Sequence, residues 1–320
     1  MTAPDVQEIP LELAPLKVSI GVCAYNEENN IGKLLENLIG QHLSKEFALE
    51  EVIVVSSGST DRTNKIVEEI SRKDRRIRLI TERERNGKAQ ALNIFFPNAH
   101  GDILVIISAD TKPAQGSVAK LVESVKSRVG GACAKTLPIN ENKDVMEFCY
   151  WFLWRMHNRV LQKESGRKAL NHLGGDMWAL RKGIVSYIPN GVINDDAYLG
   201  VTLKKKGWQI SFVPEAAVSI RGPATPLEYI QQRVRIVIGH KQIKEITNVE
   251  PTTIGAAAFR QPLFVLKLLA EEMETQRVRD YPKISTGLFL EFLAQILATM
   301  NFRRKDAYLK WKQIRGTKKF

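Results

Sequence analysis

Asp110 closes an unbroken apolar run, Ile103 to Ile107, that is followed by Ser108-Ala109. A run of β-branched and Leu side chains suits a strand buried on both faces of a parallel sheet. Open α/β sheets bind ligands outside the carboxyl ends of their strands. A carboxylate placed there can hold a hard divalent cation, and the cation can hold a diphosphate. The same side chain could instead cap the turn before Lys112-Pro113. A second acidic element, Asp195-Asp196, follows Asn194. Adjacent carboxylates repel, which can lift one of them into the range where it takes up a proton. Asn194 or Asp195 could equally cap the helix that starts there.

These groups need elements to position them. Lys17 to Ala24 reads as a first strand, followed by Tyr25-Asn26-Glu27-Glu28. Ile31, Leu34, Leu35, Leu38 and Ile39 then repeat at helical spacing and put one apolar stripe against the sheet. Glu51 to Val55 is a second strand, and the turn Ser56 to Asp61 leaves it, with Thr60 as N-cap of the next helix. Ile77 to Thr81 is a third strand. Gly87-Lys88-Ala89 opens a helix before the strand that ends at Asp110. Helices are expected from 116 to 127, 144 to 163, 198 to 206 and 225 to about 245, with strands from 131 to 137 and 208 to 213. Strands alternating with helices predict right-handed βαβ units and a doubly wound, mostly parallel sheet. The 144–163 helix carries Phe148, Tyr150, Trp151, Phe152 and Trp154, too many aromatics for one buried stripe. Trp151 and Trp154 could stack on sugar rings, sit at a lipid interface or pack in the core.

Read in order, Ala24-Tyr25-Asn26-Glu27-Glu28, Val54 to Asp61, Gly87 to Asn93, Ser108-Ala109-Asp110, Asn194 to Leu199 and Gln232-Arg233-Val234-Arg235-Ile236 resemble the family 2 inverting glycosyltransferases. The resemblance covers roughly Val18 to Gly239 and implies a GT-A fold. It implies that Ala24, Tyr25 and Glu27 border the nucleoside and that Lys88 lies near the base or phosphates. It further implies that Asp110 ligates Mg²⁺ or Mn²⁺, that Asp196 is the general base, and that Gln232 and Arg235 sit near donor and acceptor. The chain departs from the family pattern at Ser56-Ser57, where two acids are usual, at Ser108 and at Ile236. The hydroxyls of Ser57 and Ser108 can still hydrogen-bond the donor. The donor set is therefore Ala24, Tyr25, Glu27, Ser57, Lys88, Ser108, Ala109 and Asp110. Displacing a nucleoside diphosphate builds charge on the leaving oxygen, which a divalent cation and a cationic side chain stabilise most in the transition state. The acceptor hydroxyl needs only one base on the opposite face.

Composition narrows the alternatives. A hydrophobic content of 44% and a charged content of 26% are those of a globular protein. Cys23, Cys133 and Cys149 have no ligand spacing, which fits a reduced, cytosolic setting. Met1 to Pro15 lacks the pattern of a signal peptide, and no apolar run reaches the ~20 residues of a membrane span. From Asn301 to Phe320, eight basic residues face the single acid Asp306, more than half of the net charge of +12. Such a segment fits an anionic surface. No helix-turn-helix, zinc or RNP-type pattern accompanies it, so no nucleic-acid partner is expected. A nucleotidyltransferase would carry a Gly-rich loop after its first strand, and 24–30 has no glycine. A sugar-nucleotide-binding relative without activity is the other alternative, which retention of Asp110 and Asp196 opposes. The expected organisation is an extension (1–16), a GT-A catalytic domain (17–246), and amphipathic helices with a basic tail (247–320). Leu263, Phe264, Leu266 and Leu269, with Leu288, Phe289, Phe292, Leu293 and Ile296, would let that last segment lie on an anionic membrane surface. Expected partners are a nucleotide-sugar donor and a lipid or glycan acceptor, for a peripheral protein on the cytoplasmic side.

Overall fold

A computed structural model describes residues 14–139 and 144–309. The basic residues from Lys310 onward and most of the N-terminal extension lie outside them. Eight strands form one sheet in the order β3-β2-β1-β4-β7-β6-β8-β5. Its first half holds β1 (Leu16–Ala24), β2 (Phe47–Ser57), β3 (Ile77–Glu82) and β4 (Ile103–Ser108), all parallel. Three helices return the chain between them: α1 (Ile31–Ile39), α2 (Thr63–Ser71) and α3 (Lys88–Asn98). The apolar runs explain the layering. Val18, Ile20, Val22, Val105 and Ile107 face α1, α2 and α4 (Ser117–Glu123), while Ile53, Val55, Leu104 and Ile106 face α3 on the other side. All these strand residues are almost fully buried.

In the second half two strands, β7 and β5, reverse direction. β6 (Val129–Pro138) and β8 (Gln209–Ile220) are parallel to each other, but β7 (Met177–Arg181) runs antiparallel to both β4 and β6. β5 (Thr111–Pro113) is antiparallel to β8. The mostly parallel sheet is thus observed, with two short antiparallel strands that the apolar pattern did not announce. Because β7 is reversed, its first residue arrives at the edge where β4 ends: Ile107 pairs with Met177.

Two expected caps differ. Thr60 does not cap α2; the helix starts at Thr63, whose N–H donates to Asp61 Oδ1 at 2.9 Å. Asn194 stands at the cap position of α6 (Asp195–Lys205), but its side chain makes no cap hydrogen bond. It donates instead to the Ile236 carbonyl on α7 (Pro226–Thr247) at 2.9 Å.

Beyond the sheet, α5 (Val145–Gly166), α8 (Ile254–Arg260), α9 (Pro262–Thr275) and α10 (Tyr281–Asn301) pack on one another and on α7. Phe148 and Phe152 of α5 face α8 to α10, and Tyr150 meets Tyr229 of α7 edge to face. The turns flanking α10 extend it into a run, Val278–Tyr308, long and apolar enough to cross a membrane by length and composition. That corrects the expectation that no segment qualifies. Ile284, Leu290, Ala294 and Ala298 of this run are buried against the protein. Within α10, Glu291 receives Nε and Nη2 of Arg233 at 2.7 and 2.9 Å and the Tyr229 hydroxyl at 2.7 Å.

Candidate active site

The loops after β1, β2 and β4, the turn entering β7 and the N-termini of α3 and α6 meet at the carboxyl edge of the parallel strands. They enclose a cavity of about 890 Å³ that continues between α5, α7 and α8. Ala24, Tyr25, Glu27, Ser57, Lys88, Ser108, Ala109, Asp110, Asp196, Gln232 and Arg235 all line it. The structure therefore gathers every residue singled out for the site, from segments up to two hundred positions apart.

One wall is built by loops tied to each other. The Asn26 N–H donates to Ser59 Oγ, Thr60 N–H to Asn26 Oδ1, and Glu27 N–H to Thr63 Oγ1. Glu27, 4% exposed, accepts from Asn30. Gly58 has φ +69, and a Cβ there would come within 2.7 Å of the Arg85 backbone nitrogen, so only glycine lets these loops close. The closure lays the Arg85 guanidinium over the Tyr25 ring, 4.1 Å from its centre, a flat cationic platform at the cavity rim. Ser57 Oγ accepts from Asn86 N–H at 3.2 Å, and Ser56 bonds Ser59 at 2.8 Å. Of the two serines that replace acids, Ser56 is thus held by its own loop and Ser57 by the loop between β3 and α3.

The acidic side has two parts. Ser108 N–H donates to the Asp176 carbonyl at 3.0 Å, which sets Asp176 beside Asp110. Burial and then the charge of Asp110 raise the Asp176 carboxyl to about 6. Across the cavity, α6 presents Asp195 and Asp196 in its first turn, where the helix dipole favours anions. Their surroundings differ. Asp195 is 6% exposed and pairs with Lys88 Nζ at 3.3 Å. Burial nevertheless pushes its carboxyl up, while the charges of Asp195 and Asp196 outweigh burial at Lys88 and keep it an ammonium. Asp196 keeps about a quarter of its side chain exposed and lies 3.2 Å from His172 Nε2. Burial would raise its carboxyl, but His172, by charge and hydrogen bond, holds it well below the usual carboxylate range.

From α7, Arg235 donates to the carbonyls of Ile193 and Tyr308, each at 3.2 Å, and burial lowers it to about 10. Gln232 Oε1 is buried without a hydrogen-bond partner among the described residues. Cys23 lines the same cavity, but burial pushes its thiol up to about 12, so it stays protonated. Of the aromatics on α5, Tyr150 and Trp154 line the cavity. Trp151 packs on Phe148 and lies under Arg155. His240 lines the cavity too.

The profile of glycosyl transferase family 2 matches residues 19–188, more than half of the chain. The chain belongs to that family. This family 2 chain is 26% identical over 257 residues to a probable glycosyltransferase, YdaM, of Bacillus subtilis, covering 75% of this chain and 57% of that protein. A poly-beta-1,6-N-acetyl-D-glucosamine synthase of Staphylococcus aureus is 23% identical over 245 residues, with the same coverages. The chain thus spans little more than half the length of these curated relatives. A mannosyltransferase, PcManGT of Pyrobaculum calidifontis, solved with GDP-Man and Mn²⁺, superposes with a TM-score of 0.65 at 21% identity, covering 90% of this chain and 87% of that one. That likeness establishes the GT-A fold.

Sequence reasoning missed two residues of this family 2 site, Asp176 and His172. For Asp176 a signal existed: Gly174-Gly175-Asp176 precedes the apolar Met177 to Leu180, an acid just before a strand where Asp110 lies just after one. His172 gave none, because its backbone partner lies at Thr252, eighty positions away.

Proposed function

We propose that the chain moves a sugar from a nucleoside diphosphate donor, in the first instance a UDP-sugar, to a hydroxyl of a lipid, lipid-linked or glycan acceptor, with inversion at the anomeric carbon. The observation that carries this reading is the single cavity lined by Asp110 and Asp176, by Asp196, and by Lys88 within electrostatic reach of both Asp176 and Asp196. Donors named for structural neighbours, GDP-Man and UDP with GalNAc, set the panel to test.

Mg²⁺ or Mn²⁺ fits Asp110 and Asp176, which offer oxygen ligands side by side. Among the described residues no group of three or more His, Cys, Asp or Glu could hold a metal. A hard cation here would therefore complete its shell with diphosphate and water oxygens, its common arrangement beside phosphates. When bound, it neutralises charge on the departing diphosphate. The chain's own groups do the rest. Lys88 adds positive charge where the leaving oxygen becomes negative. Asp196, ionised and open to the cavity, takes the acceptor proton as the acceptor oxygen bonds the anomeric carbon and the bond to phosphate breaks on the opposite face. Arg235 fixes the Ile193 carbonyl just before the acidic turn, and Gln232 Oε1 is available to a sugar hydroxyl. Residues 17–246 would carry this chemistry. The helices of 247–320 would add the acceptor end.

Asp110→Asn tests the donor half. Mn²⁺ should strengthen UDP binding to the wild type, and in the variant that gain should shrink by about 10–100-fold, the scale on which lost ligand support changes metal affinity. Calorimetric titration with and without Mn²⁺ reads it, and an equal gain in both proteins refutes the assignment.

The acceptor end supports a membrane location. Phe259 lines the cavity yet is 88% exposed, and Leu263, Leu266, Phe289 and Phe292 are each at least 60% exposed. Exposed Arg260, Lys267, Arg279, Arg303 and Arg304 accompany them. An apolar face with cations beside it suits the interface of an anionic bilayer, here as a peripheral protein on its cytoplasmic side. In sedimentation with phosphatidylglycerol-containing vesicles at low salt, the wild type should pellet. Each of Phe259→Ser, Phe289→Ser and Phe292→Ser should weaken binding by roughly tenfold, about 1.5 kcal/mol per lost Phe. A wild type that stays in the supernatant rules the location out.

A further inference from the structure

Three histidines lie in a row in the cavity wall: His157 of α5, His172 before β7 and His240 of α7. Their ring centres are 6.1 and 5.2 Å apart. Among the described residues the middle ring has hydrogen-bond partners on both nitrogens. Nδ1 is 2.9 Å from the Thr252 carbonyl oxygen and Nε2 is 3.2 Å from Asp196 Oδ2. A carbonyl oxygen only accepts, so Nδ1 carries a hydrogen in every protonation state of the ring. In the neutral ring, Nε2 then turns a lone pair toward a carboxylate oxygen, and the two repel. The contact is satisfied only with one proton between them.

The surroundings keep the ring in this pose. Asn171 Oδ1 accepts from Thr252 N–H at 2.6 Å, and Asn171 Nδ2 donates to the Glu250 carbonyl at 3.0 Å. Gly200 of α6 lets the helix backbone come so near that a Cβ would sit 2.6 Å from His172 Cα. Asp196 Oδ1 is engaged by the Ala197 N–H at 2.8 Å, which leaves Oδ2 as the oxygen shared between ring and cavity.

We infer that Asp196 and His172 work as one proton-accepting unit, in which Asp196 meets the acceptor hydroxyl and passes its proton to Nε2 of His172. This rests on the proposed role of Asp196 as base. Asp196 beside a protonated His172 is a weak base. Beside the neutral ring it is a strong one, because the incoming proton relieves the repulsion of the two lone pairs. The balance is complete: the acceptor oxygen bonds the anomeric carbon, the nucleoside diphosphate leaves with its bonding electrons, and the pair gains one proton, which later returns to solvent. His172 is thus a positioning residue that stores the proton, acting through Asp196.

The charged and titratable groups facing the pair are Asp195 on α6, Lys88 on α3, His157 on α5, His240, Arg233 and Arg235 on α7, Cys133 on β6 and Asp176 at β7. Glu250, on the loop that holds the ring, is taken up by Lys244 and Arg260. Burial lowers His157 to about 3 and His240 well below the ordinary imidazole range, so both stay neutral. Burial also lowers His172, but Asp196 and the Thr252 carbonyl outweigh it and raise the ring. The proton shared by two groups titrates as a property of the pair.

Hydrolysis of UDP-sugars and GDP-mannose with Mn²⁺, water replacing the acceptor, reads the pair through kcat/KM against pH. The wild type should gain activity with rising pH along a limb centred above ~6.5, the ordinary imidazole value. His172→Gln should lose that limb between pH 5.5 and 9 and fall by about tenfold or more at its plateau. An unchanged limb in His172→Gln overturns the inference. Should that variant not fold, ring ¹⁵N signals of the histidines in the metal-free wild type decide. They should show a His172 that titrates above ~6.5 and carries its hydrogen on Nδ1 when neutral; a neutral Nε2–H ring overturns the inference. Asp196→Asn separates the two layers. If it keeps full hydrolysis, the base assignment itself fails. If it abolishes hydrolysis while His172→Gln keeps its limb, only the pairing fails.

Discussion

Asp196→Asn should lower turnover by ~10²–10⁴, the usual contribution of a general base, while donor affinity stays nearly unchanged. The expectation follows from how α6 divides its two acids. Asp195 points to Lys88 and is almost fully buried, whereas Asp196 keeps an oxygen toward the cavity. Asparagine is isosteric, and its amide nitrogen can donate to His172 Nε2, so the site keeps its shape and loses only the proton acceptor. His172 holds the wild-type carboxyl below its ordinary range and makes it a weak base while the ring is protonated, so the loss should grow with pH along the His172 limb centred above ~6.5. Steady-state kinetics with separate donor titration checks both halves. A larger loss of turnover in Asp195→Asn than in Asp196→Asn would mean that the two acids have the opposite roles.

The strand and helix that build the Asp110 side of the cavity were legible because their signals are local. Ile103 to Ile107 announces a buried strand, and Asp110 follows it after Ser108-Ala109. The stripe of Ile31, Leu34, Leu35 and Leu38 announces α1, and all four are buried. What stayed hidden depends on partners distant in sequence or on backbone geometry. β7 has only five residues, too few for periodicity to separate strand from turn, so Gly174-Gly175-Asp176 marks an acid before an apolar stretch but not its place beside Asp110. Glu291 breaks the apolar pattern of α10 and so hid a run long enough to span a membrane. Its charge is answered from α7 by Arg233, fifty-eight positions away. The start of α2 shifted because Asp61, rather than Thr60, reaches the first free N–H.

Lys88→Met should destabilise the protein by about 3–5 kcal/mol at neutral pH, the cost of leaving one partner of a buried ion pair unpaired. Methionine keeps most of the lysine stem, so the change isolates the charge. Asp195, 6% exposed and next to Asp196, would then be the uncompensated ion. Its carboxyl is raised by burial even with Lys88 present, and removing the cation raises it further. The sign of the pH dependence follows. A carboxyl whose folded value lies above its unfolded value favours the folded state fully at low pH, and loses that advantage as pH rises through the folded value. The deficit of Lys88→Met relative to wild type should therefore be largest at neutral pH and shrink as pH falls toward about 4, the ordinary carboxylate value. Urea denaturation across pH 4.5 to 8 measures it. The double variant Lys88→Met with Asp195→Asn supplies the decisive comparison. It removes the orphaned charge and should recover most of the stability lost in the single variant, a coupling that a double-mutant cycle reads directly. Donor binding should stay impaired in the double variant, because the cation proposed to face the diphosphate is still missing. Recovery of stability without recovery of UDP binding assigns Lys88 both a folding role through Asp195 and a donor role of its own. A double variant no more stable than Lys88→Met would show that the lysine acts through packing alone.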